Sequence, residues 1–168
     1  MLTGLTSGAP ERERKWLGGA ALIALGLGVL IYLTDRSATH ALLIPAVGKL
    51  ASVQLVGAAG LWLPSFLHVF AFSLLTASVL PMGGVGAFHP CLTWWSIDCA
   101  FEFAQLPIVA AFVAEEIDSV LGVNHLSRSL TASVMHGTFD VADLLAATAG
   151  AFAAAAVIAL LDSPGEEP

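Results

Sequence analysis

Four apolar runs, separated by polar or Gly/Pro-rich stretches, set the pattern of this chain. The first, WLGGAALIALGLGVLIYL over 16–33, holds no charged residue, and the second, LWLPSFLHVFAFSLLTASVL over 61–80, holds one histidine. The third, CLTWWSIDCAFEFAQLPIVAAFVA over 91–114, and the fourth, DVADLLAATAGAFAAAAVIALL over 140–161, carry acids. About 20 predominantly apolar residues cross the ~30 Å hydrocarbon core of a bilayer. The pattern therefore predicts an all-α protein, a four-helix transmembrane bundle forming a single domain over 1–168. Arg12, Arg14 and Lys15 precede the first run, as basic residues do in a signal peptide. The run is longer than the roughly 7–15 residues of an h-region and no clear A-x-A site follows, so an uncleaved anchor is expected.

The connections differ in kind. PMGGVGAFHP, 81–90, reads as a short Gly/Pro turn. In the longer stretch 34–60, Val47, Leu50 and Val53 have helical spacing and predict a short interfacial helix. The third connection, 115–138, opens with Glu115, Glu116 and Asp118. These read as a solvated cap on the third helix, with a cation site as the rarer alternative. The closing DSPGEEP, 162–168, reads as an exposed acidic end. Four crossings put both termini on one side. The basic cluster beside the first run assigns that side to the cytoplasm, because the first helix usually sets orientation.

Polar residues inside the runs carry the candidate chemistry. Asp98, Glu102 and Gln105 follow i, i+4, i+7 and fall on one helical stripe. An acid at bilayer depth is costly and marks a functional or interhelical site. His136, Asp140 and Asp143 repeat the spacing and would share a face if the fourth helix began near His136. With His68 of the second run these residues make a polar seam. At 1.5 Å per residue, His68 lies roughly 10 Å and Asp143 roughly 5 Å from the outer surface, with Gln105 and Glu102 roughly 14 and 18 Å deep. Pro107 predicts a kink and a freed carbonyl at Phe103. Two adjacent carboxylates cannot both ionise cheaply in low dielectric, so Glu102 is expected as a neutral acid donating to Gln105 or His68. Structural alternatives stand beside each reading. His68 also suits a satisfied bundle histidine, Asp140 an N-cap, Asp143 a first-turn acid favoured by the helix dipole, and Trp62, Trp94 and Trp95 a belt at the membrane interface.

Composition narrows the partners. The hydrophobic fraction is 57% and the charged fraction 11%, against roughly a quarter charged in soluble domains, which excludes a soluble binding module. Membrane lipids are expected partners. The net charge of -7 supplies no basic stripe for a phosphate backbone, so no nucleic acid is expected. Cys91 and Cys99 lie about 12 Å apart on a helix, too far for a bridge, and read as buried thiols. No C-x-x-C or H-E-x-x-H motif occurs, and neither a metal nor a cofactor is expected.

Three blocks resemble the VanZ-like family of membrane proteins. LPSFLHVFAFSLL is similar to that family's histidine followed by an aromatic-rich helix. FEFAQL is similar to its E-x-x-Q pattern, through Glu102 and Gln105. GTFDVADLLAATAGAFAA is similar to its D-x-x-D…G block, through Asp140, Asp143 and Gly150. The resemblance covers about 61–156. His136 or Gly137 stands where the family pattern has an arginine, and Ala147 where it has an asparagine. The resemblance implies a four-helix protein of the bacterial cytoplasmic membrane, in a family associated with teicoplanin resistance. Two functions are expected from residues and resemblance together. The first is a non-catalytic subunit or accessory of a larger membrane assembly, with a membrane-protein partner. The second is an enzyme or transporter acting on a lipid-linked or amphipathic envelope molecule, with His68, Glu102 and Asp143 as candidate catalytic groups.

Overall fold

The computed structural model describes residues 11–35, 55–80, 86 and 88–162. The interfacial helix expected at Val47, Leu50 and Val53, most of the 81–90 turn and the acidic end after Asp162 lie outside the described residues. Those described form helices and contain no strand. In order they are α1 (Glu11–Asp35), a 3-10 turn (Gly57–Leu61), α2 (Leu63–Val79), α3 (His89–Ala104), α4 (Pro107–Leu121), α5 (His125–His136) and α6 (Val141–Asp162).

Two of these helices, Glu11–Asp35 and Val141–Leu161, are long and apolar enough to cross a membrane. A third crossing is reached if α3 and α4 count as one bent span. The shorter α2 is apolar in overall composition.

α2 is the centre of the assembly, packing on α1, α6 and α3, while α3 also packs on α6. α1 and α2 run antiparallel. Near one end Arg14 donates from Nε to the Ser78 carbonyl at 2.9 Å and from Nη2 to the Val79 carbonyl at 2.6 Å. A guanidinium thus covers carbonyls at the C-terminus of α2, where the helix dipole favours a cation. Near the other end Gly28 of α1 lets Leu67 approach. There Asp35 accepts the backbone N–H groups of Leu55 at 2.7 Å and Val56 at 2.9 Å, tying the end of α1 to the chain entering α2.

The bundle has two unlike ends. Around the start of α1 and the end of α2, the core is apolar: Leu17, Ala21, Leu74, Cys91, Ala154 and Ile158 pack together. Around the start of α2, the end of α3 and the start of α6, the buried residues include Asp98, Glu102 and Asp143. Between the two, Gly150 of α6 lies against the Phe66 backbone of α2, where an added Cβ would sit 3.2 Å from the carbonyl carbon. That close approach is what a small residue permits at a helix crossing.

The third apolar run is not one helix. α3 stops at Ala104 and α4 leaves at 101° to it. The cause is Pro107. A proline disfavours the helical region for the residue before it, and Leu106 is extended at φ −61°, ψ 133°. The carbonyl of Phe103, expected to be freed, instead accepts the Leu106 N–H at 3.1 Å in the closing turn of α3. The stretch expected as a third connection, 115–138, is largely helical. It contains the second half of α4 and all of α5, which pack on each other as a hairpin.

The hairpin turn is closely specified. Gly122 ends α4 at φ 68°, ψ 164°, a region essentially restricted to glycine. Asn124 then caps α5 reciprocally: its Oδ1 accepts the Ser127 N–H at 3.0 Å, and Ser127 Oγ accepts the Asn124 N–H at 3.0 Å. This is the geometry of a capping box.

Candidate functional site: a polar seam between α2, α3 and α6

Asp98, Glu102 and Asp143 each engage a neighbouring helix or the chain entering it. Asp98 of α3 is buried, and its Oδ1 stands 3.2 Å from Nδ1 of His68 on α2. Glu102, one turn further along α3, is also buried. Its Oε2 accepts the backbone N–H of Asp140 at 3.3 Å, where the chain enters α6. Asp143 of α6 is buried, and its Oδ1 accepts from Ser65 Oγ of α2 at 2.9 Å. The three acids therefore link α2 to α3, α3 to the α6 entry, and α6 to α2.

Gln105 lies at the break between α3 and α4, with its side chain against Gly137 before α6. A Cβ at 137 would overlap the Gln105 amide. Gly137, which holds one of the two places where the resemblance puts an arginine, is thus the residue that admits Gln105.

Asp140 is a helix cap. Its Oδ1 accepts the Ala142 N–H at 2.8 Å and its carbonyl accepts the Asp143 N–H at 3.1 Å. Capping satisfies an amide that the first turn leaves without an intrahelical partner. The expected face of His136, Asp140 and Asp143 does not form. His136 ends α5, and residues 137–140 are non-helical before α6 starts at Val141. The His136 side chain lies outside the described residues.

The depth expected for Glu102 also changes. It lies in the last turn of α3, level with the first turn of α6, as its bond to Asp140 and the stacked rings of Phe103 and Phe139 at 5.8 Å require. Glu102 belongs to one end of the bundle rather than to its middle. Asp98 lies about 6 Å further in along α3.

Two tryptophans join the seam, a role the apolar pattern did not reveal. Trp94 donates from Nε1 to Thr76 Oγ1 of α2 at 2.9 Å and stacks on Phe72 at 4.6 Å. Trp95 donates from Nε1 to Thr148 Oγ1 of α6 at 2.9 Å. Both are partly buried interhelical donors, a role beyond the interfacial belt expected of them. Threonines at positions 76 and 148, inside apolar runs, were the available signal. The His68 ring packs edge-on to Phe72 at 4.8 Å and tilts against Trp94 at 6.3 Å.

Chemically, the described part of the seam offers buried carboxylates, the His68 imidazole beside Asp98 and the Ser65 hydroxyl donating to Asp143. Asp98 Oδ2 is buried without a hydrogen-bond partner among the described residues. Among the same residues no three His, Cys, Asp or Glu side chains gather to hold a metal ion. Cys91 is buried and Cys99 partly so, and both are free thiols. Glu115 and Glu116 are exposed on α4, away from the seam. Comparison with protein-family models, with curated proteins and with solved structures returns no match for this chain.

Proposed function

We propose that the chain is a polytopic protein of the bacterial cytoplasmic membrane, in which α1, α2, α3 and α6 cross the bilayer and both termini face the cytoplasm. On this reading it serves as a non-catalytic subunit or accessory of a larger membrane assembly. The observation that carries the reading is that Asp98, Glu102 and Asp143 each reach across to an element other than their own, so that α2, α3 and α6 are tied to one another. Interhelical polar contacts hold membrane bundles together, and acids used in this way are structural groups. The long exposed apolar faces support the membrane part of the reading: Leu22 and Ile23 of α1, Phe101 of α3, and Phe152 and Leu160 of α6 are all more than half exposed. The similarity of the three sequence blocks to VanZ-like proteins adds a bacterial envelope setting.

A second reading, an enzyme or transporter for a lipid-linked or amphipathic envelope molecule, is favoured by one feature. His68 is 44% exposed in its side chain and stands against Asp98, whose second oxygen is buried without a partner among the described residues. An oriented imidazole beside a buried acid is suited to moving a proton.

Glu102→Gln separates the readings. An amide keeps the volume and an oxygen able to accept the Asp140 N–H. On the scaffold reading, partner co-purification and glycopeptide sensitivity of the host both stay at the unsubstituted level. Loss of the phenotype with assembly intact would overturn the scaffold reading in favour of the second. Loss of assembly would show that the carboxyl itself holds α3 to α6.

A further inference from the structure

We propose that the α4–α5 hairpin is a membrane-surface element, lying in the plane of the bilayer with its tip seated among lipid headgroups and upper acyl chains. The inference rests on the membrane reading above and adds the partner of a region that reading leaves unassigned.

Three observations fix the hairpin's position. The first is direction. α4 turns 101° from α3, so if α3 crosses the bilayer, α4 runs along its surface. The second is level. The end of α3 and the start of α6 are joined by the Glu102–Asp140 bond and the Phe103–Phe139 stack. α6 has 22 residues, roughly 33 Å at 1.5 Å per residue, which matches the ~30 Å core. Its first turn therefore stands at one membrane face, and the hairpin, which opens at Leu106 and closes at 137–140, leaves the bundle at that same level. With both termini cytoplasmic, this is the outer face.

The third observation is chemistry at the point farthest from the bundle. The tip carries Val120, Val123 and Leu126, exposed by 77%, 69% and 59%. An aqueous tip would hold these aliphatic side chains in water. Ile108, at the base of α4, is 88% exposed. Along α4 the exposed Ile108 and Phe112 give way to exposed Glu115 and Glu116 and then to Val120, so the lipid contact falls at base and tip and the carboxylates at mid-helix face the headgroups and water. Amphipathic helices at such a boundary bury their apolar side roughly 5–10 Å into it. The Gly122 turn and the Asn124–Ser127 capping box hold the tip in one shape, so its aliphatic residues are presented together.

The test is depth by electron paramagnetic resonance on full-length protein in liposomes. Single nitroxide labels are placed at 108, 116, 123, 126 and 152, on exposed positions, in a background where Cys91 and Cys99 are alanine. Cys91 is buried, so the background is first required to elute as the unsubstituted protein does; if it does not, the same sites are read by tryptophan substitution and brominated-lipid quenching in the native chain. Collisions with oxygen are expected to exceed those with a water-soluble nickel chelate at 108, 123 and 126, with the order reversed at 116. Label 152 on α6 is the control and should read deeper than any hairpin site. Nickel-dominated collisions at 123 and 126 with 152 deep in lipid would overturn the hairpin proposal and leave the membrane reading standing. Nickel-dominated collisions at 152 would overturn both. Low collision rates with both relaxants at 123 and 126 would overturn the lipid assignment and indicate that protein covers the tip.

Discussion

The two ends of the bundle are held by different physics. At one end Leu17, Leu74, Cys91 and Ile158 interlock with small alanines. At the other, the buried groups include three carboxylates tied to His68, Ser65 and the Asp140 amide. In lipid, an apolar interface gains little from leaving its solvent, so its stability comes from packing. A polar contact is directional and fixes which residue meets which. The apolar end contributes packing energy; the polar end specifies register. The chain departs from regular crossing helices at the polar end, where α3 breaks and the hairpin is inserted. The fixed partners stand where the path is least regular.

This contrast makes Leu74→Ala the largest effect. Leu74 is fully buried where α1, α2, α3 and α6 meet. Removing its branch leaves a cavity, at about 3 kcal/mol. The change should appear as a lower unfolding midpoint in mixed micelles, with the order of the seam unaltered. A loss below about 1 kcal/mol would show that the apolar end is loosely packed and that the contrast fails.

Gly150→Ala follows, at the boundary between the ends. The added methyl meets the Phe66 backbone, which cannot rotate away as a side chain could. Overpacking of this kind costs about 2 kcal/mol and should separate α2 from α6, measurable as a longer spin-label distance between them. Asp143→Ala comes next. It removes the Ser65 contact at 2.9 Å, and a hydrogen bond to a charged or acidic group contributes about 1.5 kcal/mol. The expected signature is faster amide exchange at the start of α6 with little change near Ile158, because the loss is confined to the polar end.

Much of this was legible in the sequence, for definite reasons. An uninterrupted apolar run such as 16–33 has few structural outcomes, and α1 covers it. The i, i+4 spacing of Asp98 and Glu102 gave the buried stripe of α3 correctly. Asp140 reads as an N-cap because it directly precedes an apolar helix, and its side chain caps Ala142. The third run was misread because hydropathy continues smoothly through Leu106 and Pro107. What changes there is backbone conformation, which proline imposes on its neighbour and which apolarity does not record. α5 falls within the stretch expected as the third connection, 115–138, because HLSRSLTASVMH is not an apolar run. Its helix depends on a cap and on packing against α4, both of which are tertiary. The pairing of Trp94 and Trp95 with Thr76 and Thr148 is not legible for a related reason: a threonine in an apolar run marks a polar contact without showing which helix it faces.

Trp95→Phe is the smallest effect and the sharpest test of how the polar end works. The ring volume is largely kept, and only the Nε1 donor to Thr148 Oγ1 is lost. Thr148 is not stranded, because its hydroxyl also donates to the Leu144 carbonyl within α6 at 2.8 Å. The substitution therefore leaves no buried group freshly without a partner, and the cost reduces to one interhelical bond. In membrane bundles such bonds average about 0.6 kcal/mol, and a midpoint shift of that size is expected. The more informative readout is specificity. If polar contacts set register, then Trp95→Phe should broaden the α3–α6 distance distribution between labels at 92 and 152 by more than Leu74→Ala does, despite costing less. A narrow distribution in Trp95→Phe and a broad one in Leu74→Ala would reverse the assignment, making the apolar end the part that specifies how the helices meet.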